Sequence, residues 1–469
     1  MSVHDPSITY KAAVIGAGSG GLTLAIGLAG FGQRVALIEA GRVGGDCTNV
    51  GCIPSKALLH AAATEIADPL DYVRNKRDTL SETEDEEMLD HETIHLVRGW
   101  ARLTPRREPH VVEVTTDDGT VTEVRAENVV VCAGSRPVEF PIEGLAPERV
   151  VTNEQLFELS EVPSKIVLVG GGAISLEMAT AFRDLGSDVA IVELEARLIP
   201  TEDPLVSATI RAALLERGVA VHTGTSIERF DGLTAHLGDG GTITDVDRVL
   251  LAIGRRPKVD DLGLAAAGVD HSERGIVADS FGRTNVDGIY AVGDVTGNTL
   301  TTHGANSIGR RTIRAIALPY VPKVGAPRAL PNAVFSRPEI ASVGMTVADV
   351  DALPATGRRR YVVQLADLDR GYTDDVEHGV AVVDVERFTG KVHRAAIVGP
   401  AAAEIIGIFT MAIDHGIGLR KMFGTVHPYP AYSQLVGQLA DDFARDTLAT
   451  IPREWSAMVR GRIARRLRR

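Results

Sequence analysis

Twice in this chain a short apolar strand runs into a glycine-rich turn, then a helix, then a second strand closed by a glutamate. The first copy starts at Ala12–Ile15, turns through Gly16-Ala17-Gly18-Ser19-Gly20-Gly21, continues in a helical run from Leu22 to Leu28, and ends with Val35–Ile38 and Glu39. The second starts at Ile166–Val169, turns through Gly170-Gly171-Gly172-Ala173-Ile174-Ser175, and ends with Val189–Val192 and Glu193. The first glycine and the glutamate are 23 residues apart in both copies. This is an internal repeat of a β–α–β unit, and it predicts an α/β chain with two dinucleotide sites.

Each residue of the unit has a physical task. Gly16 makes the tight turn, Gly18 lets the backbone approach a pyrophosphate, Gly21 allows close helix–strand packing, and the Glu39 carboxylate holds a ribose. Gly170 and Gly172 repeat the pattern, with Ser175 in the place of the third glycine. Glu193 suits a free 2′-hydroxyl and so favours NADH over NADPH, although Arg197 stands close by. The plainer alternative is that Glu193 is only a solvated strand-end acid.

Between the copies lies Gly44-Gly45-Asp46-Cys47-Thr48-Asn49-Val50-Gly51-Cys52-Ile53-Pro54-Ser55-Lys56, which holds two of the three cysteines. Their spacing suits two thiols near a helix N-terminus, bridging across a distorted first turn, where the helix dipole and free N–H groups favour a thiolate. Two buried structural cysteines are the bland alternative. Two nucleotide sites around a dithiol imply a relay, in which one nucleotide delivers a hydride, the other holds a flavin, and the electrons reach sulfur. Cys132, in the apolar strand Val129–Cys132, reads as inert core.

A length of 469 residues predicts about three domains. The net charge of -13 argues against a nucleic-acid-binding body. No segment has the form of a secretion signal, and no apolar run approaches ~20 residues. Three cysteines in so long a chain point to a reducing compartment, so the expected location is cytoplasmic.

Two strands end alike, at Gly134-Ser135-Arg136-Pro137 and at Gly254-Arg255-Arg256-Pro257. Another ends at Gly293-Asp294, where the acid either bonds polyol hydroxyls of a cofactor or caps the next helix. The run Glu82-Thr83-Glu84-Asp85-Glu86-Glu87 reads as a solvated face without chemistry. From about Pro327 the chain becomes an α+β module with no nucleotide fingerprint. The arginine-rich tail from Arg453 reads as a solvated end, with an amphipathic helix touching an anionic membrane as the sharper alternative.

From about residue 9 to 445 the chain resembles the flavoprotein disulfide reductases, which include dihydrolipoyl dehydrogenase and mercuric reductase. The signature carrying the resemblance is complete at Gly44, Gly45, Cys47, Cys52, Pro54, Ser55 and Lys56. The resemblance implies two Rossmann-like domains, for FAD and NAD(P), and a C-terminal α+β dimerisation domain. The implied division is 1–150 and 276–325 for FAD, 151–275 for NAD(P), 326–450 for dimerisation and 451–469 as a basic tail. It further implies Cys52 as the flavin-facing thiol, Cys47 as the interchange thiol, and Lys56 paired with Glu177 beside the flavin and nicotinamide. Gly16, Gly18, Gly21, Glu39, Ser135 and Asp294 match flavin-binding positions, and Gly170, Gly172, Glu193 and Gly254 fall to the NAD(P) side. A homodimer with composite active sites is implied.

One departure matters. Disulfide-reducing relatives carry a His-Pro dipeptide whose His is the catalytic base, with a Glu five residues later. Here the segment is Val426-His427-Pro428-Tyr429-Pro430-Ala431-Tyr432-Ser433-Gln434. In one register His427 is the base and Tyr432 replaces the Glu. In the other, which Pro430, Ser433 and Gln434 favour, Tyr429 replaces the base and His427 falls two positions early. A tyrosine with a pKa near ~10 cannot take a thiol proton at neutral pH as a histidine near ~6.5 can. Mercuric reductase has such a Tyr, but this chain has no cysteine after Cys132 to hand over a metal.

The expected function is an FAD-dependent NAD(P)H oxidoreductase, passing electrons through Cys47 and Cys52 to a small sulfur compound, a metal ion or a quinone-like acceptor. The alternatives are a dihydrolipoyl dehydrogenase of a multienzyme complex and, from another class, a degenerate flavin-binding interaction protein.

Overall fold

The computed structural model describes residues 8–449 apart from 299, 319 and 321–324, so the basic tail lies outside the described residues. The chain forms two compact units. The first draws on the described parts of Met1–Gly170, Asp184–Ser187 and Ile227–Ala326, and the second on Gly171–Arg183, Asp188–Ser226 and Pro327–Arg469.

In the first unit the strands Ile94–Arg98, Val35–Glu39, Thr9–Ile15 and Val121–Val131 lie side by side in parallel, and Ile289–Ala291 also pairs with Val121–Val131. His110–Thr115 and Trp100–Leu103 extend the sheet in antiparallel fashion. Alternation along a strand sends successive side chains to opposite faces, and here both faces are core. Ala12, Val14, Val35 and Leu37 pack on one side with Leu24 and Leu28, and Ala13, Ile15, Ala36 and Ile38 pack on the other. Burial on both faces explains why these strands read as unbroken apolar runs. Helix Ser19–Ala29 packs closely on helix Thr302–Ala317: a Cβ at Gly27 would meet Ile313 at 2.3 Å. Lys165–Val169, Arg248–Leu251 and Val150–Val151 form a further parallel set in this unit.

In the second unit, Asp188–Glu193 pairs in parallel with Ala220–Thr223. The C-terminal module is an antiparallel sheet in the order Asn332–Val334, Ile340–Gly344, Val392–Val398, Val380–Glu386, Arg358–Gln364. Helix Ala402–His415 and a helix over 434–449 cover it, with Phe409, Leu435, Leu439 and Phe443 in the core. Among the described residues, no helix is long and apolar enough to cross a membrane.

Candidate active site

Cys47 lies inside the short helix Gly45–Asn49, and Cys52 is the first residue of the next helix, Cys52–Ala63. The expected single helix with a distorted first turn is therefore corrected to two helices. Gly51, at φ -129° and ψ -111°, takes a conformation that stops one before the other starts. Helix Cys52–Ala63 has no side-chain cap, and the Cys52 backbone N–H at its start hydrogen-bonds to Cys47.

Both cysteines are free thiols. Cys47 hydrogen-bonds with Cys52, and Cys52 Sγ lies 3.5 Å from Thr302 Oγ1. The hydrogen bond to Cys52, then burial, then the charge on Cys52 hold the Cys47 thiol pKa well above its ordinary value. A second thiolate beside the first is costly, so ionising Cys52 makes Cys47 still harder to ionise. Cys132 is buried and its thiol pKa is pushed up by burial alone, in keeping with inert core.

The dithiol segment is seated on the first glycine turn. Gly44 N–H donates to the Ala17 carbonyl at 2.9 Å, and Gly44 bridges Gly18. A Cβ at Gly45 would stand 2.6 Å from Gly18 Cα, so residue 45 has to be glycine for this approach. The other side of the segment is held by charge. Arg255 donates to Asp46, to Ser135 Oγ at 2.7 Å and to Asn153 Oδ1 at 3.2 Å, while Ser135 Oγ donates to Asp294 Oδ2 at 2.6 Å. Burial raises the Asp294 carboxyl above the ordinary range despite the Ser135 hydroxyl. Asp294 does not cap the following helix, whose N-cap is Thr301. Arg255→Met leaves several acceptors in this partly buried network without a donor. It is expected to cost about 2 kcal/mol, read as a lowered Tm of the purified protein.

The two glycine turns repeat at the level of single hydrogen bonds. Glu39 accepts from Ala17 N–H at 2.6 Å and from Gly41 N–H at 2.7 Å. Glu193 accepts from Gly171 N–H and, at 2.7 Å, from Glu195 N–H. Each carboxylate is thereby fixed and keeps lone pairs for ribose hydroxyls. Helix Ser19–Ala29 starts at Gly18 with no side-chain cap and no acid in its first turn, a free helix N-terminus of the kind that receives a pyrophosphate. These residues fit a bound dinucleotide. Around the second turn, space beside Gly172 is open and Ser175 is fully buried with no partner for its hydroxyl. Arg197 is tied to the Pro200 carbonyl at 2.6 Å, and Gly254 accepts from Val138 N–H at 3.0 Å.

Glu177 is buried in helix Ala173–Asp184 and accepts from Phe335 N–H at 3.0 Å. Lys56 Nζ lies 3.4 Å from Ser55 Oγ. In the C-terminal module, His427 Nε2 is buried without a partner, and the ring lies against Gly437. Tyr429 is 71% exposed and donates to Asp369 Oδ2 at 2.8 Å, a contact that raises its pKa. Tyr432 donates to Asp374 at 2.7 Å, and burial together with Asp374 lifts its pKa to about 12.

Cys47 opens on a cleft of about 540 Å³ within the first unit, walled by Leu22, Ile26, Leu80 and Ile313. Asn306 crosses it, accepting from Ser19 and, at 3.0 Å, from Thr23. Glu84 also lines it, so the acidic run is not wholly solvated: residue 84 turns inward while Glu86 and Glu87 stay exposed. Sequence reasoning missed Thr302, Glu84 and the Asp46–Arg255 pair. The available signal was that each charge of that pair directly follows a glycine, Asp46 after Gly45 and Arg255 after Gly254.

Residues 10–312 match the model of the pyridine nucleotide-disulphide oxidoreductase family, and residues 330–440 match that family's dimerisation domain. The chain is 32% identical to dihydrolipoyl dehydrogenase 3 of Haloarcula marismortui, over 94% of this chain and 98% of that one. It is 31% identical to the dihydrolipoyl dehydrogenase of Bacillus subtilis, over 94% and 98%. Among solved structures it is similar to a Cu(II) complex of the HOCl-induced flavoprotein disulfide reductase RclA from Escherichia coli. That match has a TM-score of 0.84 and 28% identity over 92% of this chain and 99% of that one. LpdA from Mycobacterium tuberculosis matches with a TM-score of 0.83 and 25% identity over 93% and 99%. Two fingerprint turns, a dithiol between them and a dimerisation module thus make this chain a member of the pyridine nucleotide-disulphide oxidoreductases. It is an oxidoreductase that works with FAD and NAD(H), and its dimerisation domain supports a homodimer.

Proposed function

We propose that this enzyme carries electrons from NADH to a small acceptor through Cys47 and Cys52, the acceptor being a sulfur compound, a metal ion or a quinone-like molecule. The observation that supports this most is the pair of free thiols hydrogen-bonded to each other, with Cys47 opening on an apolar cleft. Bound FAD supplies the means of converting a hydride into electrons for sulfur. Gly16, Gly18, Gly21, Glu39, Ser135 and Asp294 hold it, and Gly170, Gly172, Glu193 and Gly254 hold the nicotinamide nucleotide. Glu193, with Arg197 tied to the backbone, supports NADH. Cys52 stays with the cofactor and Cys47 meets the acceptor, while Lys56 and Glu177 keep the roles implied by the resemblance. The five-part division of the chain and its cytoplasmic residence belong to the same reading.

For the register at the C-terminal dipeptide, the inward His427 and the outward Tyr429 support Tyr429 as the residue in the base position. A metal acceptor draws support from RclA, whose structure is that of a Cu(II) complex. Dihydrolipoyl dehydrogenase is the second reading, favoured by identity along nearly the whole chain.

The primary test is anaerobic. One equivalent of NADH added to the oxidised holoenzyme is expected to make two thiols per chain newly reactive to a thiol reagent, and no new thiol would sink the proposal. The two readings are separated with dihydrolipoamide. Wild-type turnover is expected to be weak, and Tyr429→His is expected to raise it by roughly 10²-fold. Robust wild-type turnover would instead favour His427 as the base.

A further inference from the structure

We propose that Glu84 is the acid–base group of the Cys47 cleft, taking the thiol proton as Cys47 attacks a disulfide acceptor and returning it to the sulfur that leaves. This rests on the reading above, in which the acceptor is reduced at Cys47.

A proton carrier is needed there because Cys47 faces the cleft as a free thiol, and its hydrogen bond to Cys52 and its burial hold its pKa above the ordinary value. Neither tyrosine of the C-terminal segment suits the work, since Asp369 and Asp374 pin them and raise their pKa values. Among the described residues that line the cleft, Cys47, Glu84 and Arg310 carry titratable side chains, and a guanidinium does not exchange its proton. That leaves the carboxylate.

Its placement is built. Leu80 and Glu84 are one turn apart on helix Pro69–Leu89 and face the same cleft. Thr48, the residue after Cys47, donates its hydroxyl to Glu84 Oε2 at 3.0 Å. A Cβ at residue 44 would stand 2.3 Å from that same oxygen, so the carboxylate has its space because Gly44 carries no side chain. Burial raises the Glu84 pKa above the ordinary carboxyl range; the Thr48 hydroxyl pulls it down and Glu87 on the same helix adds to the rise. Arg310 faces the cleft from helix Thr302–Ala317 and Cys47 from helix Gly45–Asn49, while helix Ser19–Ala29 brings no charged group to it. A carboxylate with a raised pKa is a stronger base toward a thiol and a weaker, still usable, acid toward a thiolate.

The step balances. The Cys47 S–H bond breaks and its proton moves to Glu84 as Cys47 sulfur bonds to one sulfur of the acceptor. The acceptor S–S bond breaks, and the departing thiolate takes the proton from Glu84. Cys52 thiolate then attacks Cys47 sulfur, expels the second half of the acceptor as a thiolate, and closes the Cys47–Cys52 disulfide. Two electrons leave the dithiol and reduce the acceptor disulfide.

The test uses the full-length FAD-loaded homodimer with NADH and hydroxyethyl disulfide. Wild-type kcat/KM is expected to rise with pH through a carboxyl pKa above the usual range. Glu84→Gln should lose that limb and fall by about 10²-fold, and Glu84→Asp should keep the limb. The amide still accepts the Thr48 hydrogen bond, so folding and flavin content serve as controls. A second readout is iodoacetamide alkylation of Cys47 in the NADH-reduced protein, which should follow the same limb in wild type and not in Glu84→Gln. Wild-type rates and profiles in Glu84→Gln overturn the proposal, as does loss of the limb in Tyr429→Phe. NADH-driven exposure of two thiols should persist in Glu84→Gln, so failure here is separable from failure of the relay itself.

Discussion

Cys47→Ser is expected to stop transfer to every acceptor while NADH still bleaches the bound flavin. Serine keeps the size of the side chain and removes the nucleophile. A thiol yields its proton to a nearby base far more readily than a hydroxyl does, and its sulfur is the stronger nucleophile. The loss should be on the order of 10⁴-fold, as for members of other catalytic units that act together. Because Cys47 lies on the cleft and Cys52 sits at an uncapped helix start, the two single variants should differ. Cys47→Ser leaves Cys52 as a lone thiol whose hydrogen-bond partner is a weakly acidic hydroxyl. Stopped-flow absorbance, with the half-reactions followed separately, reads both effects. Unchanged acceptor turnover in Cys47→Ser would mean that electrons leave by a route that bypasses sulfur.

The second large effect concerns the first glycine turn. A Cβ at residue 21 would stand 1.9 Å from the Gly16 carbonyl oxygen and 3.4 Å from Val14. No rotamer relieves a clash with backbone, so Gly21→Val must push helix Ser19–Ala29 off its sheet. The expected cost is about 3 kcal/mol, the upper end of ordinary overpacking. The displaced helix start would also no longer present its N–H groups to a pyrophosphate. The purified variant is expected to be colourless, with the flavin absent by absorbance and a lowered Tm. A yellow protein of wild-type stability would show that the turn tolerates a side chain and that the assignment of Gly21 is wrong.

Much of this architecture was legible because it is written in local patterns. The strand, glycine turn, helix and terminal acid fall within 23 residues, so Glu39 and Glu193 could be placed from spacing alone. The dithiol was equally plain, since both thiols lie on one short segment. What escaped depends on contacts between distant parts of the chain. Arg255 meets Asp46 across 209 positions, and Thr302 meets Cys52 across 250. No periodicity announces such pairs. Glu84 was hidden in another way: five carboxylates crowd residues 82–87, and charge density reads as solvent exposure. A helix turns about 100° per residue, so one member of such a run can face inward while its neighbours face water. The short helix before Gly51 was missed because Gly45-Asp46-Cys47-Thr48-Asn49 shows no apolar period to announce it.

The seam at Gly18, Gly44 and Gly45 has a consequence for how acceptor preference can change. Backbone lies against backbone there, so the seam itself offers no side chain to exchange without dislodging the redox turn. Selectivity must therefore be written on the surrounding side chains, by Leu22 and Ile26 on one helix, Leu80 on a second, and Asn306 and Arg310 on a third. Libraries restricted to those five positions would retune which molecules are reduced and leave both the proton carrier and the wiring to the nucleotides untouched.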